Sequence, residues 1–116
     1  MTTPQVQTLD PQTVSRLLAA GEILLIDVRE PAEFAAERIR GALLYPLSTF
    51  DAALLPPDGP RRVVFQCGSG KRSLAAAERR LAAGAPAAAH LGGGLLAWKA
   101  AGQPLITTDP ATGQPR

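Results

Sequence analysis

The segment Cys67-Gly68-Ser69-Gly70-Lys71-Arg72-Ser73 gathers a nucleophile, two glycines, two hydroxyls and two cations within seven positions. A thiol reacts as its thiolate, and its pKa falls at a helix N-terminus and beside Lys or Arg. Cys67 ends an apolar β-rich run, Gly68 and Gly70 let the backbone curl, and Lys71 and Arg72 stand where a helix-forming stretch begins. Successive N–H groups in such a curl point inward as an anion nest, reinforced by the positive end of the helix dipole. The chemistry this favours is nucleophilic attack by sulfur. The plain alternative is a buried small hydrophobe at a strand end, the commonest state of a free cysteine. A core cysteine, however, has no need of Gly, Ser, Gly, Lys and Arg directly after it.

The elements that must position this loop follow from the apolar pattern. Asp10 and Pro11 read as an N-cap and first-turn pair for a helix carrying Val14, Leu17 and Leu18 and stopping at Gly21. Residues 23–28, ILLIDV, form a short continuous apolar run, the pattern of a strand buried on both faces. Pro31 starts a short helix to about Arg38, and residues 42–45 read as a second strand. Ser48 with Asp51 resembles a capping box for a helix over 49–55, closed by Pro56 and Pro57. RVVFQ, residues 62–66, is a strand running straight into the cysteine loop, and the helix after it ends at Gly84. AAAHL, residues 87–91, is a further strand, followed by glycines and a last helix holding Trp98. Residues 5–102 thus form one domain, in which a short leader precedes Asp10, and 103–116 read as a flexible tail. Alternating strands and helices argue for an α/β layered domain with a mostly parallel sheet, in which ligands bind beyond the C-terminal strand ends. Asp27-Val28-Arg29-Glu30 and the Cys67 loop both fall there.

Composition narrows the partners. The chain has 116 residues, 46% hydrophobic and 19% charged, with a formal charge of +2 and the charges interspersed. That weak field speaks against nucleic-acid binding. No window reaches the roughly 18 apolar residues of a membrane span, and the first residues lack the basic and apolar regions of a signal peptide, so the expected location is the cytoplasm. One cysteine and one histidine provide no disulfide and no recognisable metal spacing, and no cofactor is expected.

Four motifs in order resemble the rhodanese-like domains: DVREPAEF at 27–34, ERIRGALLYPL at 37–47, CGSGKRS at 67–73 and LGGGLLAW at 91–98. One departure is Arg38, where the family often has His. The resemblance implies a three-layer fold with a central five-stranded parallel sheet, helices on both faces, and Cys67 at the bottom of a shallow pocket. It implies a sulfurtransferase in which the Cys67 thiolate takes sulfane sulfur from thiosulfate or a persulfide, protein or small, and yields it to cyanide or a thiol. This is covalent catalysis in two half-reactions. The N–H groups of Gly68, Ser69, Gly70, Lys71 and Arg72 would stabilise the persulfide, while Lys71 and Arg72 attract the anionic donor. Asp27 is read as tying loops together, and Arg29 with Glu33 as an ion pair. Ser69 or Ser73 either bonds the persulfide or caps the helix. His90 and Trp98 are read as core residues.

Two rivals remain. Cysteine phosphatases and arsenate reductases also use a thiolate, a nest of amides and an Arg, but with one more residue between Cys and Arg than the four found here. The other rival is a sulfur-relay or interaction module serving a partner protein, which would charge quickly from that partner and turn over thiosulfate poorly.

Overall fold

The computed structural model describes residues 5–116. Strand β1, Val6–Leu9, precedes helix α1, Pro11–Ala19, whose N-cap Asp10 accepts the Thr13 N–H at 2.7 Å. Strand β2, Ile23–Asp27, leads to α2, Pro31–Ala36, then the short strands β3, Glu37–Arg38, and β4, Leu43–Leu44. Two single 3-10 turns, Leu47–Thr49 and Ala52–Leu54, connect to β5, Arg62–Gln66. Helix α3, Lys71–Ala82, strand β6, Ala88–Leu91, helix α4, Gly94–Ala100, and strand β7, Ile106–Thr107, complete the chain. The main sheet has five parallel strands in the order β1-β6-β5-β2-β4, with apolar layers on both faces. Among the described residues, no helix is long and apolar enough to cross a membrane.

Side chains alternate across a strand, and this parity distributes the core. Leu25, Val64, Ala89 and Leu91 face one side with Val14, Leu95 and Trp98 from α1 and α4. Ile26, Val63, Phe65 and Ala88 face the other, packed with Ala76 and Ala77 of α3. Cys67 follows Val63 and Phe65 at even spacing and joins the α3 layer. Asp27 shares the parity of Leu25, so it leaves the end of β2 toward the opposite face.

Several expectations are corrected. The supposed leader carries β1, paired in parallel with β6 from Val6↔Ala88 to Leu9↔Leu91; with Gln7 and Thr8 exposed at its centre, it suits an edge strand that buries only Leu9. The expected helix over 49–55 is instead two 3-10 turns. Phe50 and Asp51 are both extended (ψ 127° and 107°), which splits the segment into two separate turns. Asp51 accepts from the Ala53 N–H to cap the second turn, while Ser48 Oγ donates to Glu30 Oε1 at 2.7 Å. Helix α2 stops at Ala36, because Glu37 turns extended (φ −156°) and β3 pairs antiparallel with β7. The segment 103–116, expected as a flexible tail, thus carries a strand, and Thr108 N–H donates to Ala36 O at 3.0 Å.

At the C-terminal end of β2, Asp27 is fully buried and Arg29 is 3% exposed. Arg29 Nε and Nη2 both donate to the Asp27 carboxylate, the closest contact being 2.8 Å, and Nη2 also donates to Glu37 O at 2.7 Å. The pair ties the end of β2 to β3. Asp27→Ala should therefore cost about 3–5 kcal/mol, since it leaves a buried guanidinium uncompensated. Urea denaturation is the check, and a cost under about 1 kcal/mol would show that the tie is dispensable.

Candidate active site

The site is built where β5 ends and α3 begins. Gly70, the residue before α3, has φ +101°, a left-handed conformation that costs a side-chain-bearing residue strain. This bend turns the loop back over Cys67, which is fully buried. Its Sγ accepts the Gly70 N–H at 3.1 Å and the Ser73 N–H at 3.3 Å, and lies 3.5 Å from Ser73 Oγ. Burial is the largest influence on the thiol and pushes its pKa up. The Ser73 hydroxyl, the Ser73 N–H, the Gly70 N–H and the Ser69 N–H together outweigh it, and the net shift is downward. Hydrogen bonds therefore lower this pKa, where the sequence pattern suggests an effect shared with the neighbouring cations.

Helix α4 closes the loop from the other side. The N–H groups of Leu95 and Leu96 donate to the carbonyls of Cys67 and Gly68 at 2.8 and 3.1 Å, holding the nest in its curl. This approach needs a glycine at position 94. A Cβ there would sit 2.7 Å from the Gly68 carbonyl carbon and oxygen and closer still to the Cys67 carbonyl oxygen, at φ +58°.

The cations behave differently from one another. Arg72 donates from both Nη atoms to Glu33, at 2.7 and 3.0 Å, so the guanidinium is held by a carboxylate at the rim. The expected Arg29–Glu33 ion pair is replaced by two others, Arg29 with Asp27 and Arg72 with Glu33. Arg29 lies adjacent to an acceptor at position 27 that is fully desolvated, which outcompetes a half-exposed glutamate. Lys71 is exposed, and no ion-pair partner is found for it among the described residues. Arg38 lies over the Phe34 ring, 5.3 Å from its centroid.

Ser73 and His90 meet inside the α3 layer. Ser73 Oγ is 2.8 Å from His90 Nδ1 and 3.2 Å from Gly70 O, and His90 Nε2 is 3.3 Å from Thr8 Oγ1. Burial holds the imidazole below its ordinary pKa. By sequence alone, Ser73 is equally a cap and His90 a core residue. The signal that joins them is strand parity: His90 pairs with Phe65, which faces the same side as Cys67. Two clefts of about 320 and 490 Å³ lie along the C-terminal half of α3, and neither is lined by residues 67–73.

Two outcomes follow from this geometry. Gly94→Ala forces α4 away from the loop, and should destabilise the protein by at least about 1–3 kcal/mol while lowering Cys67 reactivity more than tenfold. Thermal melting and thiol alkylation would show it; an unchanged alkylation rate would mean the loop stands without α4. The second concerns acid. Arg72 hydrogen bonds bring the Glu33 carboxyl from 4.5 down to about 2, against the upward push of burial and with help from the Glu30 N–H. A depressed carboxyl stabilises the fold above its ordinary pKa, and that contribution drains away as pH falls from about 4.5 toward 2. The side chains of Glu33 and Arg72 are 40% and 37% exposed, so solvent limits the gain to about 1 kcal/mol or less. The stability gap between wild type and Glu33→Gln should close over this window, and a gap that widens with acid would contradict the pairing.

A family model described as Rhodanese-like domain matches residues 10–101. The chain is 33% identical over 105 residues to a sulfurtransferase of Allochromatium vinosum, covering 90% of this chain and 98% of that one. It is 40% identical over 104 residues to an uncharacterized protein of Synechocystis, covering 90% of this chain and 58% of that protein, so it spans little more than half of that relative's length. Among solved structures, a human single-domain sulfurtransferase superposes with a TM-score of 0.73 at 30% identity, over 83% of this chain and 97% of that one.

Proposed function

The chain belongs to the rhodanese-like domain family, and on that premise we propose that it moves sulfane sulfur from thiosulfate or a persulfide donor to a thiophilic acceptor through a persulfide on Cys67. The observation that carries this reading is the convergence of the Gly70 and Ser73 N–H groups on Cys67 Sγ. In the first half-reaction the thiolate attacks the outer sulfur of the donor. The Sγ–S bond forms, the donor's S–S bond breaks, and its electron pair leaves on sulfite when the donor is thiosulfate. In the second, cyanide or a thiolate attacks the outer sulfur, the Sγ–S bond breaks, and its electrons return to Cys67. Each step exchanges one bond to sulfur for another, so no external oxidant or reductant is needed, and splitting the transfer gives ping-pong kinetics.

The negative charge of a persulfide resides on its outer sulfur, and donors already fixed in the folded loop stabilise it without reorganisation. Lys71, exposed at the first turn of α3, supplies positive charge for an anionic donor. Gly68 and Ser69 shape the loop, while Asp27 and Arg29 secure the strand end beside it. The relatives named sulfurtransferases support the same reading.

A second reading is favoured by the Glu33–Arg72 pair. With Arg72 held by a carboxylate, the site has less free positive charge for a dianion than Lys71 and Arg72 together would offer. A thiol-borne persulfide on a partner protein carries less charge and suits such a rim, which is the arrangement of a sulfur relay.

Intact mass before and after thiosulfate, and again after cyanide, tests both readings. The expected result is gain and then loss of one sulfur atom, absent in Cys67→Ser, because a serine hydroxyl does not ionise near neutral pH. Rapid loading from a protein persulfide with slow loading from thiosulfate would select the relay. Wild-type turnover by Cys67→Ser would sink the assignment.

A further inference from the structure

The Cys67 thiol donates to Ser73 Oγ at 3.5 Å; once the sulfur is a thiolate, the single Ser73 Oγ proton has three claimants, Cys67 Sγ, Gly70 O at 3.2 Å and His90 Nδ1 at 2.8 Å. Which claimant receives it decides whether the sulfur has a third donor. If His90 Nδ1 presents its lone pair, the nearest acceptor takes the Ser73 proton and sulfur receives nothing from the hydroxyl. If Nδ1 carries the ring proton, Ser73 Oγ must accept from the ring, and its own proton turns toward Gly70 O or the sulfur. A negative sulfur then outcompetes a neutral carbonyl.

We infer that His90 is a positioning residue for the sulfur chemistry: its ring, oriented by Thr8, fixes the Ser73 hydroxyl as a donor to the sulfur on Cys67. Thr8 Oγ1 completes the chain by donating to Nε2, which holds the lone pair in this tautomer. The array runs Thr8 to His90 to Ser73 to sulfur, every link a donor aimed at the anion, and it crosses three elements, β1, β6 and α3. No Asp, Glu, Lys or Arg side chain hydrogen-bonds or ion-pairs with the ring among the described residues, and with 6% exposure the imidazole is kept neutral. The charged group coupled to the sulfur is Arg72, engaged by Glu33, while Asp27, engaged by Arg29, leaves its strand toward the other layer. None of them hydrogen-bonds to the ring. His90 is thus a donor held in place, and its role is met by any side chain with an N–H at the Nδ1 position.

This inference rests on the reading of Cys67 as the sulfur carrier, and the two are tested by separate readouts on the same proteins. The chain has a single cysteine, so ultraviolet absorbance titrates its thiolate, and intact mass after a persulfide donor reports sulfur loading. In His90→Leu the thiolate midpoint should rise by roughly one pH unit, leaving about tenfold less thiolate at pH values well below the wild-type midpoint. His90→Asn, whose amide N–H reaches the place of Nδ1, should keep the wild-type midpoint, and a rise equal to that of His90→Leu counts against a donor at this position. In a Ser73→Ala background, His90→Leu should bring no further shift, which a merely structural role would not predict. A folded His90→Leu with an unshifted midpoint, or an equal shift without Ser73, overturns the inference. Should His90→Leu fail to fold, Thr8→Val carries the test: it should raise the midpoint by a smaller step, and an unshifted value overturns the inference equally. Failure of the wild type to gain sulfur sinks the functional reading, while the thiolate midpoints still decide the role of His90.

Discussion

Two amides are aimed at the sulfur of Cys67, with the Ser73 hydroxyl 3.5 Å away, and that sulfur is too deeply buried to be stabilised by bulk water. Burying a thiolate without donors costs several kcal/mol and would simply keep it protonated. The surrounding architecture answers that cost. Gly70 bends the loop so that its own N–H and that of Ser73 converge, and Gly94 lets α4 approach until two of its N–H groups secure the loop's carbonyls. Carbonyls committed to α4 cannot rotate toward the sulfur, where they would repel it. The nest is therefore held from two sides, by the start of α3 and by the start of α4.

The sheet makes this possible through parity. Cys67 continues the alternation of Val63 and Phe65, so its side chain leaves the end of β5 under α3, while Asp27 leaves the end of β2 toward the other layer. Carboxylate and thiol thus sit at neighbouring strand ends without sharing a face. Asp27 spends its oxygens on Arg29, and the positive charge of Arg29 is spent on Asp27 and the Glu37 carbonyl. The pair brings order to the end of β2 and no free base to the sulfur, which agrees with a mechanism that starts from a thiolate.

Much of this was legible in the residues. The buried strands 23–28 and 62–66 and the loop from Cys67 announce themselves, because a continuous apolar run next to Gly-Ser-Gly-Lys-Arg fits little except a buried strand feeding an anion-binding turn. The Asp10 cap and the Gly84 stop are local chemistry and read correctly. Tertiary partners were harder. The edge strand β1 is polar at Gln7 and Thr8 and gains its identity only by pairing with β6. The pairing of β3 with β7 joins segments nearly seventy residues apart, and the segment after Pro46 has capping residues but is broken by extended backbone at Phe50 and Asp51. In the site, the partner of Arg72 was missed because Glu33 and Arg72 are brought together only by the fold. His90 was missed because a histidine in an alanine-rich strand looks like filler until its register against Phe65 is known.

That last residue bears on the choice between sulfur transfer and phosphate chemistry. In the cysteine phosphatases the position after Arg72 would hold the arginine that grips a tetrahedral dianion. Here it holds Ser73, a short neutral side chain, fully buried, whose hydroxyl lies against the sulfur and is backed by an uncharged ring. A phosphate in that cradle would meet one hydroxyl where a guanidinium is needed, and the remaining arginine is turned to the rim by Glu33. A sulfur anion carries a single diffuse charge and is satisfied by a few neutral donors at 3.1 to 3.5 Å, the spacing from Sγ to the Gly70 N–H and to the Ser73 hydroxyl. Withholding full positive charge has a kinetic consequence as well. On the sulfur-transfer reading proposed above, a persulfide gripped by a buried guanidinium would be over-stabilised and slow to pass its sulfur onward, whereas neutral donors would lower the energy of that intermediate only moderately and leave the second transfer within reach.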